Sequence, residues 1–164
     1  MDQIKWCMKQ KKGIELVEPS DNLREAYIIK ADEALGVLRS TNIRDWQLTT
    51  AYYAIYHSMY SLLMKIGIKC EIHSCTIEFT KRYLKSHFTS EEFELIDKAF
   101  SARIDAQYYV NREIPDKNYE FIMKKTSAFL IKCKNIVLEQ KEIKEIRTSI
   151  DNELSSEKGR KRTF

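Results

Sequence analysis

Apolar residues recur at three- and four-residue spacing along most of the chain, and this period predicts helices rather than strands. Ser20 and Asp21 stand as an N-cap before a stripe of Leu23, Tyr27, Ala31, Ala34, Leu35 and Leu38. A second helix starts near Asn42, has Asp45 in its first turn, and is apolar nearly all round from Trp46 to Ile66 before Gly67 stops it. A short third helix is expected from Ser74 to Lys85. The fourth has the clearest start: Thr89 and Glu92 form a capping box, flanked by Phe88 and Phe93 as a hydrophobic staple, and it runs to about Tyr109. Pro115 and Asp116 open a fifth, striped by Tyr119, Ile122, Met123, Phe129, Cys133, Ile136 and Val137. The pattern predicts an all-α protein, a four- to five-helix up-and-down bundle around a buried central helix. An arm over residues 1–19, irregular or short-helical and packed through Trp6, precedes the bundle of 20–150. Beyond Lys141 the apolar spacing thins, and 151–164 is expected to be a basic, disordered tail, most clearly from Ser155 onward.

Composition sharpens this picture in three places. With 164 residues the chain has the length of one domain, and its 4 Gly and 2 Pro leave few tight turns, which favours long helices. The scattered glycines also exclude a Gly-built phosphate cradle, and no nucleotide cofactor or metal is expected. From Trp46 to Met64 no side chain carries a formal charge, so the segment is long enough for a bilayer. It nevertheless holds Gln47, Thr49, Thr50, His57, Ser58, Ser61 and four tyrosines, whose hydrogen-bonding groups would be costly in lipid, so the helix is expected inside protein and no membrane partner is expected. Lysines interrupt any apolar run near the start, so no signal peptide is read and the protein is expected to be cytoplasmic, with four reduced cysteines. The net charge of +4 is too mild to be a nucleic-acid signature by itself.

The run Thr50-Ala51-Tyr52-Tyr53-Ala54-Ile55-Tyr56-His57, followed by Ser58-Met59-Tyr60-Ser61-Leu62-Leu63, resembles the signature helix of HEPN proteins, which reads Ala-Tyr-Tyr-Ala, two apolar residues, His. Three further stretches are similar to the family in the same order. They are Gly67-Ile68-Lys69 leading to Ile72-His73-Ser74, Arg103-Ile104-Asp105-Ala106-Gln107-Tyr108, and the opening Lys12-Gly13 through Glu18-Pro19-Ser20. The resemblance spans roughly residues 6–138. It implies a helical homodimer, with RNA, a nucleotide, or a minimal nucleotidyltransferase of a toxin–antitoxin-like pair as partners. Active members are metal-independent endoribonucleases carrying an Arg separated from the His by four to six intervening residues. Here the His is His57 and that position is Thr50.

Cleavage of RNA without a metal needs a base of near-neutral pKa and a cation for the phosphate, roles suited to His and Arg. His57 supplies half of the set. Arg44 lies on the same helix but thirteen residues away, about 20 Å along the axis at 1.5 Å per residue, too far within one protomer; across a symmetric dimer Arg44 or Arg103 of either chain is a candidate cation. His57 is therefore either catalytic or a buried, hydrogen-bonded imidazole. Tyr53 either packs the core or stacks on a base, while Arg103 and Tyr108 form either a phosphate-binding rim or a structural pair. Cys70, His73 and Cys75 have the types for three metal ligands but not a convincing spacing, so no metal is assigned. The basic residues Lys158, Arg160, Lys161 and Arg162 either touch phosphates or merely solubilise the tail. The expectation is a non-catalytic or weakly active dimeric module that binds RNA, a nucleotide or a nucleotidyltransferase. The alternatives are an active ribonuclease toxin using His57, and a structural helical adaptor.

Overall fold

The computed structural model describes residues 2–160, with side chains described through Ser156. The order of elements is α1 (Gln3–Lys9), β1 (Glu15–Leu16), α2 (Asp21–Ser40), α3 (Arg44–Ile66), β2 (Ile68–Lys69), α4 (His73–Tyr83), a 3-10 turn (Lys85–His87), α5 (Ser90–Tyr108), α6 (Asp116–Asn135) and α7 (Gln140–Arg160). The protein is all-α apart from one two-stranded antiparallel ribbon that pairs Glu15 with Lys69 and Leu16 with Ile68. Helix α3 is the axis of the molecule, packed by α2, α5 and α6. Tyr52, Leu48, Ile55, Met59, Leu62, Leu63 and Ile66 on it are fully buried.

Local chemistry explains most of the boundaries. The Ser20 hydroxyl accepts from Leu23 N at 3.1 Å and caps α2. The Thr89 hydroxyl accepts from Glu92 N while the Glu92 carboxylate accepts from Thr89 N, so the capping box of α5 is complete. Phe88 and Phe93 meet across it at 5.8 Å between ring centroids. Gly67 ends α3 with φ +82°, a conformation that penalises any Cβ; a side chain there would also strike Val17 O and the Arg147 guanidinium. Of the buried hydroxyls of the uncharged stretch, those of the serines are satisfied inside α3, with Ser58 donating to Ala54 O at 2.6 Å and Ser61 to Ser58 O at 2.7 Å. Among the described residues no helix is long and apolar enough to cross a membrane.

Four expectations need correction. Helix α3 begins at Arg44, and neither Asn42 nor any other side chain caps it. Leu23, on the apolar stripe of α2, is exposed at 47%, and Val137, expected on the stripe of the fifth helix, lies beyond the end of α6 at Asn135 and is exposed at 71%. The tail expected to be disordered over 151–164 is helical as far as Arg160, as the continuation of α7, which buries Ile143, Ile146 and Ile150. Residues 161–164 of that tail, with Lys161 and Arg162, lie outside the described residues, as do the side chains of Lys158 and Arg160. Finally, the cysteines are not all free: Cys7 of α1 and Cys75 of α4 form a disulfide, their Cα atoms 5.6 Å apart because α1 packs on α4, while Cys70 and Cys133 are free and buried. Ile4, Cys7 and Ile14 of the N-terminal arm belong to the same core as the bundle.

Candidate functional site

Helix α3 is buried on every side but one. The stripe it leaves partly open is Trp46, Thr50, Tyr53 and His57, spaced by four, three and four residues and so stacked along one face. Around the C-terminal half of this stripe three other elements converge. Tyr27 of α2 lies 5.8 Å from the His57 ring. His73, the first residue of α4, stacks on Tyr56 at 4.1 Å and meets Tyr53 edge-on at 6.2 Å. Arg103, from the last turns of α5, donates from Nη2 to the Tyr53 hydroxyl at 3.1 Å, and its guanidinium carbon lies within 5.7 Å of the Tyr52, Tyr53 and Tyr108 rings. Stacking cations on aromatic faces suits Arg better than Lys, because the guanidinium is planar and weakly hydrated.

The electrostatics of the cluster are set by burial. Burial raises the Tyr52 phenol well above its ordinary range and does the same to Tyr56. Tyr52 therefore keeps its proton, and its hydroxyl shares a hydrogen bond with His73 Nδ1, 2.8 Å away, that ties α3 to α4. His73 is held neutral by burial and by the adjacent Arg103 charge, both of which lower its pKa. His57 is pushed down to about 4, by burial first and then by Lys30 and His73. Two buried atoms here have no hydrogen-bond partner, His57 Nδ1 and Arg103 Nε. Arg103 also has no carboxylate partner among the described residues, whereas Arg44 pairs with Asp116 and Arg112 with Asp105.

Of the residues singled out in the sequence, Tyr53, His57, Arg103 and Tyr108 thus come together. Arg44 does not join them: it donates to Asp116 Oδ1 and Ile114 O, both at 2.8 Å, and covers the Tyr119 ring at 4.3 Å, clasping the start of α3 to the start of α6. His57 is half-buried, and its Nδ1 has no hydrogen-bond partner among the described residues. Cys70, His73 and Cys75 do not assemble as ligands. Cys75 is bonded to Cys7 and His73 to Tyr52, and among the described residues no cluster of His, Cys, Asp or Glu is arranged to hold a metal. His73's partnership with Tyr52 is what the sequence left unseen. The available signal was a phenol deep in an apolar helix, which demands a polar partner without naming it.

The fold and the cluster define a helical-bundle protein with one open face lined by Tyr, His and Arg. No family model matches the chain. Over 125 residues, 73% of this chain and 85% of the relative, it is 27% identical to a protein of Methanocaldococcus jannaschii named "Putative toxin MJ0142".

Proposed function

We propose that this chain is a toxin-like, HEPN-type module that binds RNA or a nucleotide through its phosphate, acts in the cytoplasm as a homodimer, and pairs with a small nucleotidyltransferase. The observation that carries the reading is Arg103, a half-buried guanidinium with a free buried Nε, the His73 imidazole beside it and no carboxylate partner among the described residues. A charge so placed is costly unless an anion completes it. A phosphate offers the acceptors its fork requires. The order of motifs resembling HEPN proteins and the similarity to a protein named as a toxin support the same reading. The absence of an Arg at Thr50 and the depressed basicity of His57 favour binding over cleavage.

Fluorescence anisotropy with a labelled single-stranded RNA at low salt tests this. Saturable binding is expected, weakened about tenfold or more by Arg103→Ala, in line with the loss of one charge-assisted contact. No affinity for RNA or mononucleotide in the wild type would leave a helical adaptor. Sedimentation of the same sample tests the homodimer.

A second reading, a metal-independent endoribonuclease, is favoured by one observation: His57 and His73 both lie against the Tyr56 ring, at 5.5 and 4.1 Å. Two imidazoles beside a guanidinium have the groups for attack of a ribose 2′-hydroxyl on phosphorus. The 5′-oxygen would leave with a proton, and a 2′,3′-cyclic phosphate would remain. Incubation of mixed RNA with chelator, wild type beside His57→Ala and His73→Ala, separates the readings. The first expects no cleavage above background in any of the three.

A further inference from the structure

Beside the Arg103 cluster lies a cavity of about 400 Å³, lined by Asp45, Trp46, Thr49, Ala106, Gln107 and Tyr108. Trp46 stands two turns before Tyr53 on the open stripe of α3, and Tyr108 is the last residue of α5, five beyond Arg103. Both rings are largely in water, at 56% and 67% exposure, while Thr49 is buried. Exposed aromatics are expensive to hydrate, and two of them lining one polar-edged cavity mark a place for a flat partner. The Arg103 guanidinium lies 5.6 Å from the Tyr108 ring, so the uncompensated cation adjoins a wall of this cavity.

We propose that the cavity between Trp46 and Tyr108 takes a nucleobase while Arg103 takes the phosphate of the same nucleotide. This rests on the RNA- or nucleotide-binding reading above and assigns its base-recognition site. The division of labour follows from charge. Asp45 is among the lining residues, and its negative charge disfavours a phosphate there, whereas Arg103 outside the cavity attracts one, so the base enters and the phosphate stays out. Asp45 can only accept hydrogen bonds, and Gln107 can both donate and accept. Such an edge favours a base that presents an amino group beside a ring N–H, as guanine does, over uracil, which presents a single ring N–H.

The chain has only two tryptophans, Trp6 and Trp46, so a Trp6→Phe variant makes Trp46 the sole indole reporter. Guanosine monophosphate is expected to quench its emission saturably and uridine monophosphate to do so at several-fold higher concentration; inorganic phosphate competes without quenching. A single-stranded RNA labelled for anisotropy distinguishes a polymer from a free nucleotide as the natural source. Tyr108→Ala in both arms, and Trp46→Ala in the anisotropy arm, with circular dichroism unchanged, are expected to weaken binding about tenfold, the loss of one stacking partner. If RNA binds and Arg103→Ala weakens it but Trp46→Ala does not, the base site is wrong and the phosphate-binding reading stands. If Trp46→Ala instead dissociates a dimer and leaves nucleotide affinity intact, the cavity belongs to a second copy and the proposal falls. If the wild type binds neither nucleotide nor RNA, both readings fall together.

Discussion

Burial, then the charge on Lys30 and the neighbouring His73, push the His57 imidazole down to about 4 from its ordinary 6.5. The folded protein thus refuses a proton that the unfolded chain accepts. Above pH 6.5 both states are neutral at this residue and its contribution to stability is complete. As pH falls from 6.5 toward 4 the unfolded state gains protons first and stability is lost, and below 4 the loss levels off. For a ring that water partly reaches, the discounted effect is about 1–2 kcal/mol. His73, lowered in the same direction, adds to it. Urea unfolding at pH 7 and pH 4.5 should show this fall in the wild type and a clearly smaller one in His57→Gln; equal slopes in the two proteins would contradict the buried, neutral imidazole. Tyr53 and His57 were singled out in the sequence through the resemblance of their run to a signature helix, and their four-residue spacing puts them on one stripe. Arg103 and Tyr108 were readable only through motif order, since nothing in residue spacing brings the end of α5 to the middle of α3. His73 was read with the wrong neighbours, because Cys70 and Cys75 adjoin it in sequence whereas Tyr52 adjoins it in space.

At the scale of elements, α7 exposes the weakness of reading stripes one helix at a time. Ile143, Ile146 and Ile150 do recur at helical spacing, but they sit among lysines and glutamates, and an isolated helix of such composition is marginal in water. Its stability is tertiary. Arg147 donates from one Nη to Val17 O, Ile66 O and Gly67 O at 2.8 to 3.0 Å, tying α7 to the N-terminal arm just past β1 and to the end of α3. Those carbonyls include ones that the C-terminus of α3 leaves without helical partners. Arg147→Met keeps the apolar stem but removes the donors, and should cost about 1.5–3 kcal/mol, the range for hydrogen bonds to a charged group. Hydrogen exchange locates the effect: amides of 143–154 should lose protection before those of α3. Uniform loss across the protein would mean that α7 is held mainly by its isoleucines. The α5 start, by contrast, was legible to the residue because a capping box and staple are local devices whose partners lie within one turn.

For the whole molecule, the all-helical class and the buried central helix followed from period, from few turn residues and from the uncharged stretch, whereas the closure of the N-terminal arm did not. Cysteine types carry no record of distance, and Cys7 and Cys75 are separated by 68 residues. Only the packing of α1 against α4 makes them neighbours. That bond closes a long loop through α2 and α3, and loop entropy assigns such a closure about 4 kcal/mol, with measured disulfides more often giving 2–4. The arm also has contacts of its own: Ile4 and Ile14 are buried, the β1–β2 ribbon pairs it with the end of α3, and Arg82 joins Asp2 at 3.0 Å. Reduction should therefore destabilise the fold without unfolding it. Adding a dithiol reductant is expected to lower the urea unfolding free energy of the wild type by about 2–4 kcal/mol, leave the helical circular dichroism intact, and have no effect on a Cys7→Ser, Cys75→Ser double variant. Cys75 lies two residues after His73 in the first turn of α4, so the same reduction should also speed exchange at 73–76, where the arm's tether meets the Tyr52–His73 pair. An unfolding curve that the reductant does not shift would show that the arm is held by packing alone.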